Sequence, residues 1–382
     1  MTSDVERITR SRRDLPRWRN LDWTLVIAFI GIAFIGVMMV YSSTRGGAAL
    51  RSGTTTYFLQ RQAMFVALGV VVCGVTAAID YHRWMRFTPI LVIGTVVLLL
   101  AVISPLGTKQ KGAQAWFQVA GFQLQPAEFA KFVLIVAFAS LLGAQRGSPD
   151  TPIVLRCLIG VGVPIGLILL QPDLGTAVVI GIIAFVMLAL SGVHWRMLLV
   201  LALLAITGGV MVVQLGVLQT YQLDRLTSFL NPSTDVRDAG YNVDQAKITI
   251  GSGGIAGKGL FNGTQTKLDY VSEQHTDFIF TVVGEELGFA GGATVIGLYL
   301  VICVRLLRLM RSARDEVGAL ICAGVLAMIG FQVFENIGMT MGLMPVTGIP
   351  LPLMSYGGSS TIATFACIGL VINVSTNRFD RA

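Results

Sequence analysis

The stretch from Tyr270 to Gly292, YVSEQHTDFIFTVVGEELGFAGG, sets ionisable residues at the mouth of an apolar run. His275, Thr276 and Asp277 stand together at its start, and the adjacent acids Glu285 and Glu286 lie inside it. A carboxylate at the edge of a low-dielectric region loses solvation, which raises its proton affinity. A base positioned in this way contributes about 10²–10⁴-fold in rate. Asp277 is therefore the candidate catalytic residue, with His275 and Thr276 to orient it or the groups it works on. The competing reading is structural, since Thr276 or Asp277 would also cap a following helix. Glu285 and Glu286 are neighbours and cannot face the same way, so at least one needs a polar partner.

Four further motifs carry candidates. In FQLQPAEFAKF (Phe122 to Phe132), Pro126 suits the first turn of a helix. Glu128 and Lys131 are three apart there and share a helix face, either as an ion pair or as the charged wall of a cavity. In LLQPDLGTAVV (Leu169 to Val179), Asp173 is a helix cap or part of the same site. Lys247 and Lys258, with the glycines of GSGGIAGKG, offer ammonium groups and exposed backbone amides to an anion. No GK[ST] is present, so the nucleotide P-loop is excluded. Ser355 and Tyr356 precede two glycines in LPLMSYGGSS (Leu351 to Ser360). Those glycines allow close backbone approach or helix packing through small residues.

The elements that hold these residues follow from composition. The chain has 382 residues, of which 54% are hydrophobic and 13% charged. Soluble domains carry about 25% charged residues, so the bilayer is the expected solvent. Ten apolar segments stand at about 23–43, 60–79, 87–104, 126–143, 151–170, 174–191, 195–215, 276–309, 314–341 and 355–375. The expected fold is an all-α polytopic membrane protein of about ten transmembrane helices. Residues 1–22 form a basic tail, 23–375 a single membrane domain and 376–382 a second tail. The first apolar run is too long for a signal-peptide core and reads as a retained anchor.

The net charge of +7 comes from arginines clustered between apolar runs, which argues for membrane topology rather than nucleic acid. Arg7, Arg10, Arg12, Arg13, Arg17 and Arg19 precede the first run. Alternate connections carry Arg83 and Arg86, then Arg146, then Arg196, then Arg305, Arg308, Arg311 and Arg314, and the chain ends with Arg378 and Arg381. The opposite short loops hold only Arg45, Arg51, Arg61, Lys109 and Lys111. Both termini are thus expected in the cytoplasm, with a large external loop at 216–275 between the seventh and eighth spans. In that loop YNVDQAKITIGSGGIAGKGLF alternates apolar positions and would fold against the membrane. The five cysteines lie in apolar stretches without a CxxC pair, so neither a disulfide framework nor a Cys-type zinc site is expected.

Taken in order, KGAQAWF, LQPAEFAK, QPDLGTA, GYNVDQAKITIGSGGIAGKGLFNGTQT, EQHTDFIFTVVGEELG and GIPLPLMSYGGSS resemble the SEDS (shape, elongation, division and sporulation) family of bacterial membrane proteins. GKGLFNGTQT and GIPLPLMSYGG look more like its elongation branch, RodA, than its division branch, FtsW. Gln123 and Ser272 depart from residues seen in some relatives, and neither touches the aspartate. The resemblance implies a peptidoglycan glycosyltransferase that polymerises lipid II on the outer face of the bacterial cytoplasmic membrane, in elongation and shape maintenance. It implies a class B penicillin-binding protein as partner, alongside other elongation-complex membrane proteins. It makes Asp277 the essential residue and Glu128 and Lys131 sensitive ones. The departing lipid diphosphate needs cations, for which Lys131, Lys247, Lys258 and a divalent ion (magnesium or manganese) are candidates; no metal-ligand cluster stands in the sequence and no cofactor is certain. The alternatives are a lipid flippase, which would want polar groups near the midplane, or a division or sporulation paralogue.

Overall fold

The computed structural model describes residues 21–46, 56–110, 113–119, 121–145, 147–214, 216, 220–230, 239–268 and 270–378. The six arginines of the N-terminal tail, Arg51, Lys111, Arg146 and Arg381 lie outside the described residues.

All ten apolar segments are helical. They are α1 (Trp23–Ser43), α2 (Tyr57–Ala78), α4 (Thr88–Ile103), α5 (Pro126–Leu142), α6 (Thr151–Leu170), α7 (Leu174–Leu190), α8 (Trp195–Gln214), α12 with α13 (Ile279–Glu286 and Gly288–Arg311), α14 (Glu316–Thr340) and α15 (Gly358–Asn377). A short α3 (Tyr81–Arg86) links α2 to α4. Seven of these helices are long and apolar enough to cross a membrane. At 1.5 Å per residue, about 20 residues match a hydrocarbon core of about 30 Å. The chain is a multi-pass membrane protein.

Helix α5 is buried almost all round, from Pro126 to Ala139, and α14 and α15 are its equals at the centre. Helix α2 lies along α15, and α14 packs on α7, α5 and α13. Helix α8 has no buried residue and stands at the periphery of the bundle. At the basic end of the bundle, Asp22 caps α1 by accepting from Leu25 N (3.2 Å). The same carboxylate takes Nε (2.8 Å) and Nη2 (2.6 Å) of Arg305, which ties α1 to α13.

Three features differ from the sequence reading. A small antiparallel sheet, β1 (Thr108–Gln110), β2 (Ala113–Val119) and β3 (Phe122–Leu124), fills the connection before α5 and was not expected in the otherwise helical chain. Gln114 secures it by donating to the carbonyl of Ser104 (2.8 Å), which α4 leaves open at its end.

The loop at 216–275 contains α9 (Thr220–Leu230), α10 (Ala239–Ser252) and α11 (Thr264–Lys267). The apolar alternation in YNVDQAKITI is therefore helical. Ala246 and Thr249 are buried and Ile250 packs on Gly284, a spacing that puts them on one face of α10.

The segment at 276–309, expected as one long span, is broken at Leu287, between α12 and α13. The glycine-rich loop between α10 and α11 satisfies both broken ends. Lys258 N and Gly259 N donate to the carbonyls of Glu285 and Glu286 (both 3.0 Å), while Phe289 N and Ala290 N donate to Gly254 O (2.9 Å) and Ile255 O (3.1 Å). Helix ends inside a membrane protein need such partners. Gly288 has φ +65°, and a Cβ there would collide with the amide of Gly257, so the break requires glycine.

Candidate active site

The turn that carries His275, Thr276 and Asp277 is pinned by Glu273. Its carbonyl accepts the amides of Thr276 (3.2 Å), Asp277 (3.1 Å) and Phe278 (3.2 Å), and Glu273 itself sits at φ +59°. The Thr276 hydroxyl donates to the Glu273 carboxylate at 3.2 Å. Helix α12 begins after Phe278 with no side-chain cap. Thr276 therefore does not cap α12 as the alternative reading had it: the N-cap position falls on Phe278, and the Thr276 hydroxyl is turned back to Glu273.

Asp277 is held from α14 and from the chain that follows it. Asn336 Nδ2 donates to the main-chain oxygens of Asp277 and Ile349, each at 2.8 Å. Gly348, at φ +75°, lies against the Asp277 carboxylate. A Cβ built on it would be 3.2 Å from Asp277 Oδ2 and 3.6 Å from Arg225 Nη1. Helix α9 thereby brings a guanidinium to the same place as the carboxylate. One residue before Gly348, the Thr347 hydroxyl donates to Oε1 of the buried Glu335.

His275, Ser355 and Tyr356 are brought together on α2. Tyr356 N donates to His275 O (2.8 Å), and the His275 ring lies 5.2 Å from Phe58 and 5.8 Å from Tyr356. Ser355 Oγ accepts from Leu351 N (2.8 Å), and its carbonyl accepts from Gln62 (3.3 Å). Ser355 is buried and shapes this loop from within.

Glu128 and Lys131 form the ion pair that their spacing suggested. Lys131 Nζ is 2.8 Å from Glu128 Oε2, and the two side chains are only 4% and 3% exposed for Glu128 and Lys131 respectively. Asp173 is both a cap and a neighbour of this pair. Its Oδ1 accepts from Thr176 N (3.0 Å), opening α7, and its Oδ2 accepts from Gln125 Nε2 (2.8 Å). Burial pushes the Asp173 carboxyl above the ordinary range, the Thr176 amide and hydroxyl oppose this, and the charges of Glu128 and Lys131 act on it in opposite directions. Two residues on, a Cβ at Gly175 would be 3.0 Å from the Thr347 carbonyl. The segment from Thr347 to Ile349 therefore lies between the Asp173 corner and Asp277.

The two loop lysines part company. Lys247, 3.2 Å from Asp244, lines a shallow cleft with Arg225, Ser228, Gly342 and Pro345, and so adjoins the guanidinium beside Asp277. Lys258 is brought instead to Glu285 Oε1 (2.7 Å), with Ser252 and Thr264 as further partners. Both inner acids find partners. Glu285 also takes the amides of Gln265 (2.8 Å) and Thr266 (2.9 Å), while Glu286 takes Phe261 N (3.0 Å) and the Ser42 hydroxyl. They anchor the loop to the helix break.

Arg225, Glu335, Asn336 and Thr347 escaped the sequence reading. Glu335 was open to it, because an acid inside the apolar run 314–341 carries the same cost as those singled out elsewhere. Among the described residues no group of three or more His, Cys, Asp or Glu is placed to hold a metal ion.

Residues 22–379 match a family model described as cell cycle protein, covering FtsW, RodA and SpoVE. A probable peptidoglycan glycosyltransferase FtsW of Trichlorobacter lovleyi is 35% identical over 94% of both chains. The peptidoglycan glycosyltransferase MrdB of Escherichia coli K12 is 33% identical, again over 94% of both. Among solved structures, a chain of a peptidoglycan synthase complex that coordinates polymerization and crosslinking superposes with a TM-score of 0.78 at 33% identity, over 94% of this chain and 99% of that one. The rod-shape-determining protein RodA of Thermus thermophilus superposes with a TM-score of 0.69 at 31% identity, over 95% and 99%. The chain belongs to the SEDS family of FtsW, RodA and SpoVE, the family its motifs resemble.

Proposed function

We propose that the chain is a peptidoglycan glycosyltransferase that polymerises lipid II, with Asp277 as the base that takes the acceptor's proton. The observation that carries this reading is the placement of Asp277. Its carboxylate lies beside Gly348 and the Arg225 guanidinium, in the turn that opens a membrane segment. Two lipid-anchored substrates would present their sugars at that boundary.

The step balances as a displacement. The 4-hydroxyl of the N-acetylglucosamine of one lipid II gives its proton to Asp277 as its oxygen bonds to the anomeric carbon of the growing chain. The bond from that carbon to the lipid diphosphate breaks, and the diphosphate leaves with the electron pair. Arg225 and Lys247, on one cleft, are placed to offset the charge it gains. Lys131 is neutralised by Glu128 and buried with it, so this pair braces the bundle beside Asp173 rather than meeting the leaving group directly. Among the described residues no cluster fits a resident metal. A magnesium or manganese ion would arrive with the diphosphate, as magnesium commonly binds through substrate phosphates.

The arginine asymmetry supports both termini in the cytoplasm and the site on the outer face. The partner on this reading is a class B penicillin-binding protein, by likeness to a chain from a synthase complex. Cell elongation is the role its RodA-like motifs favour, and relatives named for both branches match at similar identity. Asp277→Asn keeps shape and most hydrogen bonding but is a far weaker base. With purified protein, its partner and lipid II in detergent, wild type should form glycan strands. The variant should bind lipid II and form almost none. A wild-type protein that makes no glycan over a range of divalent cations defeats the enzyme reading, and an Asp277→Asn protein with full activity removes this aspartate as the base.

A further inference from the structure

Glu335 has no place in the chemistry above, yet the structure sets it against the base by two routes. It is 1% exposed on α14, inside a membrane span. Its Oε1 accepts from the Thr347 hydroxyl, and Thr347 leads directly into Gly348, which touches the Asp277 carboxylate. Its neighbour Asn336 holds the Asp277 main chain at 2.8 Å. Its Oε2 is buried and has no hydrogen-bond partner among the described residues. An acid at this depth is expensive and calls for a use.

We infer that Glu335 is a positioning residue that acts through Asp277: it fixes Thr347 and Gly348 against that carboxylate and supplies a second negative charge that strengthens it as a base. Two nearby carboxylates cannot both ionise as readily as one alone, and their protons are lost in steps that belong to the pair. Other charged groups face Asp277 as well. Arg225 comes from α9 and stays charged throughout, and His275 and Glu273 stand in its own turn. These are common to wild type and to a Glu335 variant, so the difference between two pH profiles isolates Glu335.

This inference rests on Asp277 being the base, and the experiment separates the two claims. Rates of lipid II polymerisation would be measured against pH for wild type, Asp277→Asn, Glu335→Gln and Thr347→Val, each with the penicillin-binding partner. Glu335→Gln keeps an acceptor for Thr347 and the same volume. It should leave KM near wild type and lower kcat about 10-fold, with the acid limb moved down by about one pH unit. The shift is downward whichever carboxyl ionises first. Thr347→Val removes only the hydroxyl that orients Glu335 and should lower kcat without moving KM. Inactive Asp277→Asn alongside a Glu335→Gln profile that overlays wild type overturns the role of Glu335 and leaves the base intact. Should Glu335→Gln fail to fold, a Thr347→Val enzyme with wild-type kcat and profile overturns it instead. Full activity in Asp277→Asn removes the base and this inference with it.

Discussion

Lys258 places its Nζ 2.7 Å from Oε1 of Glu285, a residue 27 positions further on whose side chain is 0% exposed. The glycine-rich loop is thereby bolted to the break between α12 and α13, and the turn bearing Asp277 lies directly before α12.

The first prediction sorts structural from substrate roles for these two. Glu285→Ala takes the acceptor from the amides of Gln265 and Thr266 and the ionic partner from Lys258, which keeps Ser252 and Thr264, and breaking such a pair costs up to roughly 3–5 kcal/mol where it is fully buried. Lys258→Met should cost less, because Glu285 keeps those two amides and the Thr266 hydroxyl. Thermal unfolding in detergent is the measurement, with Glu285→Ala melting well below Lys258→Met and both below wild type. A Lys258→Met protein that melts like wild type but polymerises poorly would return Lys258 to the substrate.

The second concerns Glu128 and Lys131. Both side chains are nearly inaccessible, so either single alanine leaves one charge uncompensated, again at roughly 3–5 kcal/mol. Glu128→Ala and Lys131→Ala should each lower both the melting temperature and the polymerisation rate. The double exchange Glu128→Lys with Lys131→Glu should recover stability and leave activity low, because Asp173 then faces a reversed pair. Single variants that match wild type in both assays would make the pair dispensable.

Much of this was legible in the sequence, and the limits have physical causes. Each of the ten apolar runs became helix, since hydrophobic length alone dictates a span in lipid. Glu128 and Lys131 were legible as a pair because three-residue spacing on a helix is local. The break at Leu287 was not, for it depends on Gly254 to Gly259 docking from a distant part of the chain. Lys258 read as an anion ligand because glycine and lysine describe a loop without naming its partner, and that partner is 27 residues away. Arg225 lies in an ordinary polar stretch and Thr347 in the apolar run GLMPVTGIPLPLM, and only the fold sets them beside Asp277 and Glu335.

The third prediction uses two glycines with nearly the same backbone. Gly348 has φ +75° and Gly342 has φ +73°, so alanine strains both alike, by about 1–2 kcal/mol. Their surroundings differ. At Gly348 the new methyl would stand 3.2 Å from Asp277 Oδ2 and 3.6 Å from Arg225 Nη1, and the turn behind that carboxylate is fixed by Glu273 and Asn336. At Gly342 it would stand 2.5 Å from Lys247 Cε, the far end of a flexible, half-exposed side chain that can swing into water. Gly348→Ala and Gly342→Ala should therefore lose similar amounts of thermal stability. Gly348→Ala should lose most of its polymerisation rate, since it alone presses on the proposed base, and Gly342→Ala only the smaller share that moving Lys247 out of the cleft removes. Equal loss of activity in the two would mean that backbone strain or the displaced Lys247, rather than the contact with Asp277, is what the reaction feels.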